Sequence, residues 1–191
     1  MKNNSKIKKL AFMAVLLCAA LIIFIIEAQI PLPVPIPGVK PGLSNAVILF
    51  ALFYNHAGKK RESNSRYNRL SLPYNIKLSN FDVFLILVGR IILSAFFTGR
   101  VITFAFSLCG GLTAFFAMLI MKKFVNNRQI WVCGAVGAVF HNIGQIIIAI
   151  FITGTPAIIA YLPVLIIAGI ITGVFTGLIA QFTLLRMSKI K

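Results

Sequence analysis

The chain has 191 residues, of which 59% are apolar and only 12% are charged. Soluble domains carry about 25% charged residues, so this composition, with a mean hydropathy of +0.96, excludes most soluble folds. Nineteen Lys and Arg residues against three Asp and Glu residues give a net charge of +16. A spanning helix takes about 20 residues, so the length allows about six spans and leaves no room for a soluble catalytic domain.

The apolar runs predict an all-α integral membrane protein that forms one domain with six transmembrane helices. We expect the spans at about residues 10–29, 43–57, 80–98, 101–121, 130–152 and 157–185. The second run is short for a complete crossing. The first run follows a cationic start, as in a signal peptide, but it is too long for that and ends in Glu27-Ala-Gln rather than in a small-residue cleavage site. We therefore interpret it as a retained span.

Two connecting segments stand out from the apolar runs. Residues 30–42 contain five prolines, which exclude a helix and predict a stiff extended segment on the external surface or folded back into the protein. Residues 58–79 are polar and basic, which predicts a mobile cytoplasmic loop.

The positions of the cations predict the orientation. Sixteen of the nineteen lie at the N-terminus, between spans two and three, between spans four and five, and in the C-terminal tail. Lys40 and Arg100 lie on the opposite side, and Arg90 lies inside span three. The positive-inside rule then places both termini in the cytoplasm of a multi-pass cell-membrane protein, with the cations facing anionic membrane lipid rather than nucleic acid.

Polar side chains within the spans are the candidates for function, because each is costly in lipid. Arg90 and His141 lie at similar depths, and Gln145 shares a helix face with His141. The predicted substrate-binding set, which opens toward the outside, is Glu27, Lys40, Asn45, Arg90, His141, Asn142 and Gln145. The alternative is that these residues form hydrogen bonds that hold the bundle together.

Small residues mark faces where helices can pack closely. Gly169, Gly173 and Gly177 in span six, with Gly134 in span five, predict contact between helices of the same chain. In span one the candidate partner interface is Ala11, Ala14 and Cys18, which would pack either internally or against a separate membrane protein.

Several kinds of site are not supported by the sequence. The three acidic residues are scattered, so the chain lacks the carboxylate cluster that binds diphosphate through Mg²⁺. The three cysteines are isolated, so we expect no metal and no disulfide. A GxxxxGK[ST] motif is absent, so we expect no cofactor in this chain, and any ATP hydrolysis would take place on a partner subunit.

Three segments carry a family resemblance: EAQIPLPVPIPGVKPGLSN from Glu27 to Asn45, GAVFHNIGQ ending at Gln145, and GTPA from Gly154. They resemble the Gx transporter family, which is also labelled heptaprenyl diphosphate synthase component I, over nearly the whole chain. That family is similar to the substrate-binding S components of energy-coupling factor transporters, which are six-helix membrane proteins. The long basic loop, Pro41 and an imperfect Ala-xxx-Ala pattern in span one depart from the pattern.

The resemblance implies two functions of different kinds. As a transport subunit, the chain would bind a small solute from outside and would associate with a membrane coupling protein and ATPase subunits. As component I, it would be an accessory membrane component of heptaprenyl diphosphate synthesis for the menaquinone side chain, with a prenyltransferase partner. A third possibility is a structural membrane scaffold. Without clustered carboxylates the chain is not expected to elongate prenyl chains by itself.

Overall fold

The computed structural model describes residues 2–30, 40–62, 76–99, 101–126 and 128–189. Over these ranges the protein contains helices and no strand, which confirms the predicted all-α class. The helices are α1 (Lys2–Glu27), α2 (Asn45–Glu62), α3 (Asn80–Thr98), α4 (Val101–Met121), α5 (Ile130–Thr153) and α6 (Leu162–Lys189), and a 3-10 helix (Pro156–Tyr161) comes directly before α6.

Helix α2 differs from the other five in the length of its apolar part. Within the described ranges, five helical stretches are long and apolar enough to cross a membrane, and the apolar part of α2 covers only Asn45–Tyr54. Ten residues of helix rise about 15 Å, half of a hydrocarbon core about 30 Å thick. Because Asn45 contacts Arg90 near the middle of α3, α2 begins inside the bundle. The protein thus has the six predicted helices, but α2 is not a complete span by length.

The basic segment predicted as a loop is shorter than expected. Helix α2 continues to Glu62, so residues 58–62 are helical. At the other end, Ile76 and Leu78 are buried in the core. The predictions for residues 31–39 and 63–75 concern positions outside the described ranges.

Apolar side chains cover the outside of the bundle as well as its core. Phe96, Val101 and Phe151 are each more than 80% exposed, as expected where lipid is the solvent. Ala11, Ala14 and Cys18 are also exposed on α1. Among the described residues this stripe has no internal packing partner that buries it, and its role as a partner interface stays a prediction.

Helices α5 and α6 approach each other through glycines. A Cβ atom on Gly134 would lie 2.5 Å from the carbonyl oxygen of Gly173, and one on Gly177 would lie 2.6 Å from Cα of Trp131. Side chains at these positions would separate the two backbones. The predicted contact between helices of the same chain is confirmed, and among the described elements α5 makes its most extensive contacts with α6 and with α4.

A helix cap and an ion pair hold the start of α3 in place. Ser79 caps α3 by accepting a hydrogen bond from the Phe81 N–H, and Asp82 accepts one from the Ser79 N–H at 2.5 Å. This capping box satisfies backbone donors that the first turn leaves free. Asp82 also forms an ion pair with Lys9 at 2.7 Å, which ties α1 to the start of α3.

Candidate functional site

A group of polar residues lies buried where the end of α1 and the start of α2 meet α3, α4 and α5. This buried polar cluster consists of Glu27, Ser44, Asn45, Arg90, His141, Gln145 and the backbone of residues 40–44. His141 lies directly against Gly110, where an added Cβ would be 2.8 Å from the imidazole ring. Gly110 is nine residues from the start of α4, so the cluster lies about 14 Å from that end of the helix.

Arg90 is held by neutral oxygen atoms. Its guanidinium is 2% exposed, and Nη1 donates to Ser44 Oγ and to Asn45 Oδ1, the latter at 3.2 Å. In the described part of the chain, no carboxylate oxygen lies within ion-pair distance of Arg90. A buried cation needs polar partners or an anion to offset desolvation, and the start of α2 supplies the polar partners.

Glu27 accepts hydrogen bonds from three successive backbone N–H groups. One carboxylate oxygen accepts from Gly42 and from Leu43, the latter at 3.0 Å, and the other accepts from Ser44 at 3.3 Å. Gly42 has φ +81°, a conformation that favours glycine and that Pro41-Gly42 suits. Successive N–H groups that converge on one point form an anion-binding nest. Ser44 therefore links the two charges, through its N–H to Glu27 and through its hydroxyl to Arg90.

Gln145 fixes the backbone of Lys40. When its amide is oriented so that both the oxygen and the nitrogen form hydrogen bonds, Oε1 accepts from the Lys40 N–H at 3.2 Å and Nε2 donates to the Lys40 carbonyl at 3.2 Å. In that orientation Oε1 also accepts from His141 Nε2 at 3.1 Å. The Lys40 ammonium lies 3.5 Å from the centroid of the Phe24 ring, a cation–π arrangement. Thus α5 positions residue 40 from one side, and Thr172 of α6 donates to the Pro41 carbonyl at 3.4 Å.

Asn142 is separate from the cluster. Successive residues of a helix point about 100° apart, so Asn142 cannot share the face of His141. Its Nδ2 donates instead to the Leu165 carbonyl of α6 at 2.5 Å. Six of the seven predicted residues are brought together, and Asn142 contacts the neighbouring helix. Ser44 is the member that the sequence prediction omitted. A Ser-Asn pair immediately before an apolar run is a helix-start signal, and it could have drawn attention to this residue.

Some donors and acceptors of the cluster have no hydrogen-bond partner within the described ranges. They are Asn45 Nδ2 and His141 Nδ1. Beside Asn45 and Gly42 is a cavity of about 10 Å³, which Thr176 also lines. That volume is about the space of one water molecule. No three His, Cys, Asp or Glu side chains come together over the part of the chain that the structure describes.

Comparison with protein families identifies the chain. The family model of heptaprenyl diphosphate synthase component I matches residues 16–60 and 68–184. The chain belongs to the heptaprenyl diphosphate synthase component I family. No curated protein and no solved structure matches it. The matched residues of this component I family member include every member of the buried polar cluster, so the cluster lies within the part of the chain that defines the family.

The family assignment confirms one of the two labels that the Pro-rich segment suggested. Its description names one component of a synthase, which implies a partner component. The likeness to Gx transporters and to S components of energy-coupling factor transporters stays a prediction.

Proposed function

We propose that the protein is the solute-binding subunit of a transport system in the cell membrane, and that it takes a small solute from the external face. The observation that carries this proposal is the buried polar cluster itself. Ionisable side chains inside a membrane bundle are costly and are a default indication of function. Here Arg90 and Glu27, each 2% exposed, meet at the same short segment, residues 42–45, together with His141.

The chemistry of the cluster suits a solute with an oxyanion and a hydrogen-bonding group. The planar guanidinium of Arg90 can form two parallel hydrogen bonds to a carboxylate or phosphate. Asn45 Nδ2 and His141 Nδ1 supply groups without partners among the described residues. Arg90 Nη1 already donates to Ser44 and Asn45, so a solute that binds Nη1 must replace these internal contacts.

Energy for transport would come from a partner. The sequence contains no nucleotide-binding motif, so ATP would be hydrolysed by separate ATPase subunits, as in energy-coupling factor transporters. The exposed stripe of Ala11, Ala14 and Cys18 on α1 is the surface we assign to the membrane coupling protein.

Substitution of Arg90 tests this function. The solute is first identified by mass spectrometry of metabolites released from the purified protein, and its binding is then measured by titration calorimetry. Arg90→Gln should remain folded and should bind the solute at least tenfold more weakly, a loss of about 1.4 kcal/mol. Arg90→Lys should not restore full affinity, because a point ammonium lacks the planar fork.

The matched control is Arg128→Gln, which removes an exposed cation between α4 and α5 and should bind the solute as the wild type does. If Arg90→Gln binds the solute with wild-type affinity, Arg90 is a structural residue and the proposed site is wrong.

The family description favours a second candidate function. As component I, the protein would be an accessory membrane component of heptaprenyl diphosphate synthesis for the menaquinone side chain, with a prenyltransferase as its partner. The buried polar cluster would then have a structural role, and the substrate would be handled mainly by the partner.

A prenyl-elongation assay separates catalysis by this chain from catalysis by a partner. The purified protein with Mg²⁺, an allylic diphosphate and isopentenyl diphosphate should form no long-chain product, since its only acidic residues are Glu27, Glu62 and Asp82. Product formed by this chain alone would overturn the transport proposal. Purification in mild detergent then identifies the partner. Co-purification of ATPase subunits and a coupling protein would support transport, and co-purification of a prenyltransferase would support the accessory role. Purification without either partner would support a structural scaffold.

A further inference from the structure

The three N–H groups that hold Glu27 form an anion-binding site in their own right. Gly42, Leu43 and Ser44 directly precede α2, an 18-residue helix, so the carboxylate that their N–H groups bind lies near the positive end of the helix dipole. Backbone N–H groups at a helix start bind phosphate and carboxylate groups in many proteins. In this protein the carboxylate in that position belongs to the chain itself.

A second, independent observation is an unsatisfied buried donor at the same place. Arg90 is a fully buried cation whose two hydrogen bonds within the described ranges go to the neutral groups of Ser44 and Asn45. Asn45 Nδ2 is a buried donor without a partner there, and it lies 3.3 Å from the position that a Cβ of Gly42 would occupy. Donors beyond those that Glu27 uses are therefore gathered around the nest.

We propose that residues 42–45 and Arg90 form an oxyanion-binding site, and that Glu27 is its built-in occupant, which an external carboxylate or phosphate group replaces. Exchange of one oxyanion for another preserves the hydrogen bonds of the nest, so the backbone is never left with unsatisfied N–H groups. The identification of the external oxyanion with the transported solute rests on the proposed function, whereas the anion site can be tested without it.

The test removes the built-in occupant and supplies small anions. Glu27→Ala, purified in detergent, is heated in increasing sodium formate or sodium phosphate, with sodium chloride at matched ionic strength as the reference. We expect Glu27→Ala to unfold at a lower temperature than the wild type in chloride. Formate should raise its Tm in a saturable way, because a ligand that binds only the folded state stabilises that state. A larger response to phosphate than to formate would identify phosphate as the preferred oxyanion.

Two further variants complete the test. Glu27→Gln fills the nest with a neutral acceptor, so formate should act on it at concentrations between those needed for Glu27→Ala and for the wild type. Asp82→Ala removes another buried carboxylate, which pairs with Lys9 outside the cluster, and it should show no saturable formate response. If Glu27→Ala aggregates in chloride, its recovery during purification in formate supports the proposal.

The proposal is overturned if folded Glu27→Ala responds to formate and phosphate no more than to chloride. It is also overturned if Glu27→Ala aggregates in all three salts while Glu27→Gln is indifferent to formate. An unchanged solute affinity in Arg90→Gln would remove the transport proposal, but it would leave a formate response of Glu27→Ala standing, so the two failures are distinguishable.

Discussion

Replacement of Gly134 by alanine is expected to lower the free energy of unfolding by about 1–3 kcal/mol, the usual cost of overpacking. The added Cβ would lie 2.5 Å from the Gly173 carbonyl oxygen and 2.9 Å from Gly177 Cα, both backbone atoms of α6. A flexible side chain could move away, but two helix backbones must separate along their length. Unfolding of the detergent-solubilised protein by heat or by increasing SDS, followed by circular dichroism, measures the effect.

Gly89 of α3 is the matched control for Gly134. A Cβ there would lie 3.4 Å from Leu17 Cδ1, which is ordinary van der Waals contact with the end of a side chain. Since alanine favours a helix over glycine by about 1 kcal/mol, Gly89→Ala should be neutral or stabilising. Equal destabilisation by Gly89→Ala and Gly134→Ala would contradict the close contact between α5 and α6.

Replacement of Gln145 by leucine is expected to lower the free energy of unfolding by about 1–3 kcal/mol and to abolish solute binding. Leucine has a similar volume, so little cavity is created, but the hydrogen bonds to the Lys40 N–H and carbonyl are lost. A hydrogen bond contributes about 0.5–1.5 kcal/mol, and the Lys40 backbone is only partly buried, so the loss of both bonds should cost about 1–3 kcal/mol. The same unfolding measurement gives the stability, and calorimetry with the identified solute gives the affinity.

The control for Gln145 is Gln181→Leu in α6. Gln181 is also buried, and within the described ranges its Oε1 has no hydrogen-bond partner. Removing an unsatisfied polar group is close to neutral or stabilising, so Gln181→Leu should unfold at or above the wild-type temperature. If the two substitutions cost the same, the pairing of Gln145 with residue 40 does not stabilise the fold.

The helices themselves were largely predictable from the sequence. Apolar runs predicted spans at about 80–98 and 101–121, and the structure has α3 at Asn80–Thr98 and α4 at Val101–Met121. Hydropathy succeeds here because lipid demands long helices with internally satisfied backbones. It failed at α2, where the helix continues through polar residues to Glu62, since helical hydrogen bonding continues beyond the apolar region.

The sequence predicted most residues of the candidate site, but it did not predict which groups they bind. Depth in the spans placed Arg90 near His141, whereas the obvious carboxylate partner of Arg90, Glu27, binds backbone N–H groups instead. The sequence left open whether the Pro-rich segment lies on the surface or folds back, and residues 42–44 do fold back onto Glu27. Backbone donors carry no signal for this choice, because they are the same at every position except proline. Asn142 could have been separated from His141 by helix geometry alone.

The depth of the buried polar cluster has an electrical consequence. An ion that reaches a site about 14 Å inside a core about 30 Å thick crosses about half of the transmembrane voltage. Moving one charge through the full voltage involves about 2.3 kcal/mol per 100 mV, so half of it involves about 1.1 kcal/mol. In the predicted orientation, a cytoplasm-negative potential opposes an anion that enters from outside. An energised membrane would then weaken the affinity of the proposed site for an anion about sevenfold per 100 mV, so that the proposed binding of the solute would be electrogenic.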